Sequence, residues 1–323
     1  MGNVKRIDLP TSSLRPQRLR PRAGLRESVH LLDHASIHAL NAALIGGRPL
    51  LVRGHPGVGK SQLARAAADL LDRAFVAHTV TSRTETDDLL WHVDLVARLA
   101  EAQLAGVTQD RSRLDLKHFV CPGPLWWGFN WASAQAQLND YRQVVAGASS
   151  GTQAPDEPSM NGVVVLIDEI DKADSAVPNG LLDALGHRGF NPPGVARVAQ
   201  AEGPAPLVIF TTNEERHLPD AFLRRCFVHT MRLPEDNDRL IEALRMRGEA
   251  HDQVEGWGLE PTTIAAAAER VAADRLAKEA GAGYRPGMAE YLDLLRAVQG
   301  APDPDALLKS LATFVLDKQA GPD

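Results

Sequence analysis

Cysteine is almost missing from this chain. Cys121 and Cys226 stand far apart, with no paired His or Cys spacing near either, which excludes a disulfide framework and a zinc site. No stretch of about 18 apolar residues is present to cross a bilayer, and the basic N-terminus lacks the apolar core of a secretory signal. An overall excess of positive charge is missing too: the formal net charge is -6 at pH 7, so the surface as a whole is not built to neutralise phosphates and nucleic acid is not favoured as a partner. A reducing, cytoplasmic setting is the expectation from these absences. What remains is an ordinary soluble composition, 44% hydrophobic and 24% charged over 323 residues, enough for one large domain and a smaller one with separate cores.

Residues 1–28 carry Lys5, Arg6, Arg15, Arg18, Arg20, Arg22 and Arg26 against Asp8 and Glu27, with prolines at 10, 16 and 21 interrupting any helix. They read as a basic arm, either mobile and loosely docked or a tether for an acidic partner or nucleic acid. From Val29, apolar residues at 29, 32, 37, 40 and 44 have helical spacing up to Gly46 and Gly47. PLLVRG predicts a short buried strand, and Leu63, Ala67, Leu70 and Leu71 line one face of a helix starting near Lys60. Residues 132–160 are rich in Ala, Gly, Ser, Gln and Pro and predict a flexible insert. GVVVLIDEIDKA and PLVIFTTNEE are runs of the kind found in strands covered on both faces, and their alternation with helices predicts a mostly parallel sheet between helical layers. Past Pro234 the strands stop and four capped helical segments follow, so residues 234–323 read as a small helical domain.

GHPGVGKS at 54–61 fits G-x-x-x-x-G-K-[ST] in the strand, glycine turn and helix context that this motif requires. Glycines let successive backbone N–H groups turn inward on phosphate oxygens, and the following helix adds its positive end. Pro56, Gly57, Val58, Gly59, Lys60, Ser61 and Gln62 form the expected cradle, with Lys60 reaching the β- and γ-phosphates and the Ser61 hydroxyl on Mg²⁺. The implied ligand is a nucleoside triphosphate with Mg²⁺; residues that touch the base form no fixed code. Hydrolysis also needs a carboxylate for the metal and a group that orients or deprotonates water. Asp168 and Glu169 end the VVVLI run at the carboxyl edge of a parallel sheet, the edge where ligands bind. Consecutive strand residues point to opposite faces, so the two carboxylates take different jobs only if the strand ends there. Asp168 is assigned to Mg²⁺ through water and Glu169 to the attacking water.

The phosphate loop, VLIDEIDKAD, IFTTNEERHLPDAFLRRCF and GYRPGMAEYLDLL occur in the order seen in the AAA+ ATPases, and the chain resembles their MoxR-like group over most of residues 29–300. The resemblance implies that Asn213 helps place the attacking water, as an amide that can donate to phosphate and accept from water. It implies that Arg224 or Arg225, with Arg224 the first choice, is an arginine finger presented to the nucleotide of a neighbouring subunit. It also implies that Arg285 approaches the γ-phosphate from the same subunit, although Tyr284 stands where the family more often has a small residue. FVCPGPLWWGFNWA gathers three of the five tryptophans and is expected to anchor a hairpin or insert in a core, a partner-binding or pore face being the alternative. LGHRGFNPPGVARV at 185–198 reads as a hairpin with His187, Arg188 and Phe190 facing a central pore or solvent.

The expected architecture is an α/β fold of the P-loop NTPase type: an αβα sandwich on a parallel sheet at 29–233, followed by a C-terminal helical lid at 234–323. The expected activity is ATP hydrolysis in a homo-oligomeric ring, a hexamer as in the family, coupled to remodelling of a partner protein such as one with a von Willebrand factor A domain. Two other readings use the same residues: a nucleotide-controlled switch or scaffold in a defence or signalling assembly, and a motor on nucleic acid, for which the basic arm is the sole hint.

Overall fold

The computed structural model describes residues 6–9, 14–22, 24–108, 114–145, 157–277 and 285–316, with backbone alone for 105–108 and 313. Two compact units are present, and the chain passes between them several times. One is built from residues up to Asp8, His38–Val52 and Ala67–His229; the other from Leu9–Ile37, Arg53–Ala66 and residues from Thr230 onward.

The first element is an antiparallel hairpin, β1 (Leu14–Leu19) with β2 (Ser28–Asp33), registered from Leu14 opposite Asp33 to Leu19 opposite Ser28. Two expectations change here. The basic arm is a strand over 14–19 with Leu19 buried, and the helical spacing read from Val29 begins only at α1 (His34–Gly46). Val29 and Leu31, two residues apart and so on one face of a strand, pack with Ala250, Met246 and Val254. Asp33 then ends the strand, its Oδ1 accepting from the Ser36 N–H at 2.7 Å at the start of the helix.

β3 (Leu50–Arg53) and α2 (Lys60–Leu71) follow as expected, and β4 (Ala74–Thr79) comes after them without having been anticipated. Next comes an unanticipated excursion: β5 (Trp91–Val93) pairs antiparallel with β6 (Val120–Pro122), and α3 (Leu95–Thr108) lies between them in sequence. After α4 (Pro124–Phe129), α5 (Trp131–Val144) replaces the first half of the expected flexible insert. It forms because Asn130 caps it, accepting from Ser133 N at 3.0 Å, and because Leu138 and Tyr141 give it a buried side. Residues 146–156 of that expected insert lie outside the described residues.

The chain continues through β7 (Val163–Asp168), α6 (Ala176–His187), a short antiparallel hairpin of β8 (Gly189–Phe190) and β9 (Val198–Ala199), β10 (Leu207–Thr212), α7 (Asp220–Leu223) and β11 (Phe227–Thr230). The central sheet has the order β11-β3-β10-β7-β4. β7 pairs in parallel with β4, Val163 opposite Ala74 through Asp168 opposite Thr79, and with β10, Val164 opposite Leu207 through Ile167 opposite Phe210. Hydrogen bonds from Phe227 N to Pro49 O (2.9 Å) and Met231 N to Arg53 O (2.8 Å) advance together, as parallel pairing of β11 with β3 requires. β10 is buried along its whole length and β7 up to Ile167, which their continuous apolar runs allow. This is the expected parallel sheet with flanking helices, and it has five strands.

The tryptophan segment anchors the core of that unit. Trp126 and Trp127 are 1% exposed, and the Trp126 indole N–H donates to Ser133 Oγ at 2.8 Å. Phe190 lies among Trp91, Trp126 and Phe129 at ring separations of 5.5, 5.7 and 6.1 Å. The pore-facing expectation is therefore corrected at Phe190, which is buried, whereas His187 and Arg188 are exposed. In the other unit, α8 (Asn237–Glu255), α9 (Pro261–Ala277), α10 (Met288–Val298) and α11 (Pro304–Leu316) form the four expected helices. Met288, Tyr291, Leu292, Leu295 and Val298, the apolar face read from the sequence, are all buried in one cluster with Leu244 and Ala267. Among the described residues no helix is long and apolar enough to cross a membrane.

Trp126→Ala would leave a cavity beside Phe190 and remove the indole N–H from which Ser133 Oγ accepts, and should cost about 3–5 kcal/mol of stability in chemical denaturation. A loss below about 1 kcal/mol would show that this segment is not a core anchor.

Candidate functional site

The phosphate-loop residues lie in one compact unit with the hairpin and the four helices. Lys60 opens α2 and is buried, and its ammonium donates to Gly54 O at 2.7 Å and His55 O at 2.9 Å. The cation is thus fixed over the carbonyls of its own loop. Pro56 and Gly57 are exposed, Val58 is buried, and Ser61 and Gln62 are half-buried. Gly59 has φ +99°, and a Cβ there would come within 3.1 Å of His30 Cε1; at Gly57, with φ +78°, it would meet Ala289 Cβ at 3.0 Å. The loop is therefore flanked by β2 on one side and the start of α10 on another. Glu290 fixes that start by accepting from Gly287 N at 2.9 Å. Arg285 is exposed three residues before Met288, and Tyr284 lies outside the described residues.

Two contacts that sequence reasoning missed tie the hairpin to the phosphate-loop helix. Arg65, buried on α2, donates through Nη2 to Arg20 O (3.2 Å) and Arg26 O (2.9 Å) at the two ends of the hairpin turn. His30 is buried under Gly59 and hydrogen-bonded to the Gln62 side chain. Burial first, and the nearby Arg247 charge second, push the His30 imidazole down to about 4, outweighing the Gln62 bond and the Asp33 carboxylate; His251 adds a small push downward. Its Nε2 has no hydrogen-bond partner among the described residues. No local signal marks either residue; both contacts exist only because strand pairing places β2 where it is.

The acidic residues lie in the other unit. β7 ends at Asp168, and Glu169 takes a left-handed conformation (φ 60°, ψ 48°), so the condition for dividing the work between the two carboxylates is met. Thr211, fully buried on β10, stands between them: its hydroxyl donates to Asp168 Oδ1 and accepts from the Glu169 N–H at 2.8 Å. Glu169 receives Asn213 Nδ2 on Oε1 at 3.0 Å and Lys172 Nζ on Oε2 at 2.5 Å. That bond to Glu169 raises the Lys172 ammonium above its usual range. Glu169 and Asn213, assigned separately from sequence, are brought together; Thr211 and Lys172 went unnoticed, although Phe210 pairs with Ile167 and Thr211 therefore follows level with Asp168.

Arg224 and Arg225 follow the end of α7 and are both exposed. Cys121 and Cys226 are buried, which pushes both thiols up to about 12 and leaves neither as a nucleophile. Among the described residues no group of three or more His, Cys, Asp or Glu side chains is placed to hold a metal ion by itself. A hydroxyl such as Ser61 and a carboxylate such as Asp168 suit Mg²⁺, which keeps waters and substrate phosphate oxygens as its other ligands.

A glycine loop with a buried lysine at a helix start, in a parallel αβα fold, defines a phosphate-loop nucleotide-binding protein. Residues 49–226 match the AAA domain of the dynein-related subfamily, and the chain belongs to that family. Among solved structures it is similar to a point mutant of RuvB from Thermotoga maritima, with 16% identity, 88% of this chain and 71% of that chain covered, and a TM-score of 0.47. It is similar also to the Thermotoga maritima RuvB Holliday junction branch migration motor, at 17% identity, 88% and 70% coverage and a TM-score of 0.45. A candidate ATPase from Cytophaga hutchinsonii aligns at 15% identity, 87% and 79% coverage and a TM-score of 0.38. No curated protein sequence matches the chain.

The buried His30 sets a pH dependence. With the folded imidazole near 4 and the unfolded value near 6.5, the unfolded chain binds the extra proton between them, so stability falls as pH drops from about 6.5 and the full loss, about 3 kcal/mol, is reached below about 4. Denaturation midpoints between pH 7 and 4 should show this slope, and His30→Asn should flatten it; an unchanged slope would place the titration elsewhere.

Proposed function

We propose that the chain binds and hydrolyses ATP with Mg²⁺, as a MoxR-like member of its family. The observation that carries this reading is the phosphate loop of a shown AAA domain, with Lys60 already fixed at the start of α2. Lys60, the loop residues 56–62 and Arg285 bind the phosphates; Ser61 and Asp168 hold Mg²⁺, which supplies charge neutralisation at the phosphate oxygens. Glu169 takes a proton from the attacking water or orients it, and Asn213 fixes the position of the Glu169 carboxylate. Arg224 or Arg225 acts on the nucleotide of a neighbouring copy, so turnover depends on assembly into a ring, for which we propose a hexamer.

We assign the output of hydrolysis to remodelling of a partner protein, with a von Willebrand factor A domain protein as the proposed client. The row of Leu95, Val96, Leu99 and Leu104 on α3, each at least 59% exposed, supports contact with a protein client that covers apolar surface. One observation favours a second reading, a nucleotide-controlled switch with little turnover. Both oxygens of Glu169 are occupied, one by Asn213 and one by Lys172, and a base so engaged is slow to take a proton from water.

ATP turnover measured against protein concentration, with mass by light scattering on the same samples, tests these readings. The expected result is specific activity that climbs as a ring forms, lost by on the order of 100-fold or more in Glu169→Gln with nucleotide binding retained, and loss of binding in Lys60→Ala. A native chain that binds nucleotide, stays monomeric and hydrolyses nothing would favour the switch.

A further inference from the structure

A cavity of about 360 Å³ opens beside Pro49 and α6, lined by Arg48, Arg188, Arg224 and Arg225 over Leu182 and Phe222. None of these four guanidinium groups has a carboxylate partner among the described residues. Four like charges around one cavity, all exposed, raise the local positive potential and favour an anion brought from outside.

Arg48 is set apart from the other three by what it holds. It follows α1, whose last residue, Gly46, leaves room for Phe227; a Cβ at Gly46 would come within 2.6 Å of the Phe227 ring. The Arg48 guanidinium lies over that ring, 5.1 Å from its centre, and donates from Nε to Arg225 O at 3.1 Å and from Nη2 to Arg224 O. Those carbonyls belong to the two residues that follow the single turn of α7, and the Arg48 guanidinium satisfies both. A planar fork can hold both carbonyls at once, which a lysine ammonium on a flexible stem cannot do with the same geometry.

We propose that Arg48 is the positioning residue for the Arg224–Arg225 pair, clamping its backbone so that one guanidinium is presented to a phosphate group carried by a second copy of this chain. The inference rests on the trans-arginine reading given above. Arg48 itself does not touch the nucleotide; it removes the freedom of the segment that does. A misplacement of about 1 Å in such a group costs on the order of 100-fold in rate, which sets the scale of its effect.

The test mixes two kinds of subunit. Acceptor copies carry Arg224→Ala with Arg225→Ala and keep their own phosphate loop and Glu169. Donor copies carry Lys60→Ala, so they bind no ATP, and keep their arginines; further donors add Arg48→Ala or Arg48→Lys. ATP turnover by the acceptors is followed with excess donor, and co-assembly is read by light scattering. The expected result is that the Lys60→Ala donor restores acceptor turnover at least about 10-fold. Adding Arg48→Ala should remove most of that restoration, and Arg48→Lys part of it, through kcat with acceptor KM for ATP unchanged. Equal restoration by all three donors would overturn the inference while leaving the trans-arginine reading standing. No restoration by the first donor would overturn both. Loss of co-assembly in both Arg48 variants, or a change confined to KM, would assign Arg48 to the interface itself and also overturn the inference.

Discussion

The Thr211 hydroxyl is the contact on which the acidic site depends. Placed on β10 opposite the end of β7, it uses its one proton on Asp168 and a lone pair on the Glu169 N–H, so it satisfies both residues at the point where the strand stops. That arrangement lets the backbone turn left-handed at Glu169, a conformation that costs energy for a non-glycine residue and persists only where its surroundings enforce it. Once the turn is made, the two carboxylates no longer alternate across a strand. Glu169 reaches Asn213 and Lys172, and Asp168 stays with the sheet edge.

The phosphate loop is held by a different principle, close backbone approach. Glycines at 57 and 59 admit neighbours where side chains would collide, and the neighbours come from opposite ends of the chain: His30 from the N-terminal hairpin and Ala289 from α10. The hairpin is in turn held by Arg65 through carbonyls at both ends of its turn. Lys60 completes the pattern, with its charge drawn into the loop by the carbonyls of Gly54 and His55. A loop supported in this way has lost much of its freedom before any ligand arrives, which lowers the ordering cost of binding.

Charge in this protein is organised by place rather than by total. A net charge of -6 conceals a cavity edged by four arginines and an N-terminal hairpin rich in arginine. Within the hairpin, Arg18 pairs with Glu27 and the backbone at Arg20 and Arg26 receives Arg65, so the basic residues there serve the fold as well as the surface. At the cavity no such compensation exists among the described residues, and Arg48 is spent on backbone carbonyls instead.

What the amino-acid sequence by itself determined was whatever a short window can encode. The phosphate loop is eight contiguous residues, β7 and β10 are unbroken apolar runs, and the apolar face of α10 repeats at helical spacing; each is legible because its physics is local. The acidic pair was legible for the same reason, since a strand that runs into Asp-Glu places its own end. Residues 29–33 were misread because their spacing fits a helix as well as a strand, and only pairing with 14–19 decided between them. Residues 132–144 were misread because a polar, alanine-rich composition does not reveal a cap and a buried side. Thr211 with Asp168, Lys172 with Glu169 in the company of Asn213, His30 beneath Gly59 and Arg48 on the carbonyls of Arg224 and Arg225 were decided by tertiary structure. Apart from the Lys172 contact, they join residues 29 to 177 positions apart, and such contacts follow from the order in which strands pair, which no local pattern carries.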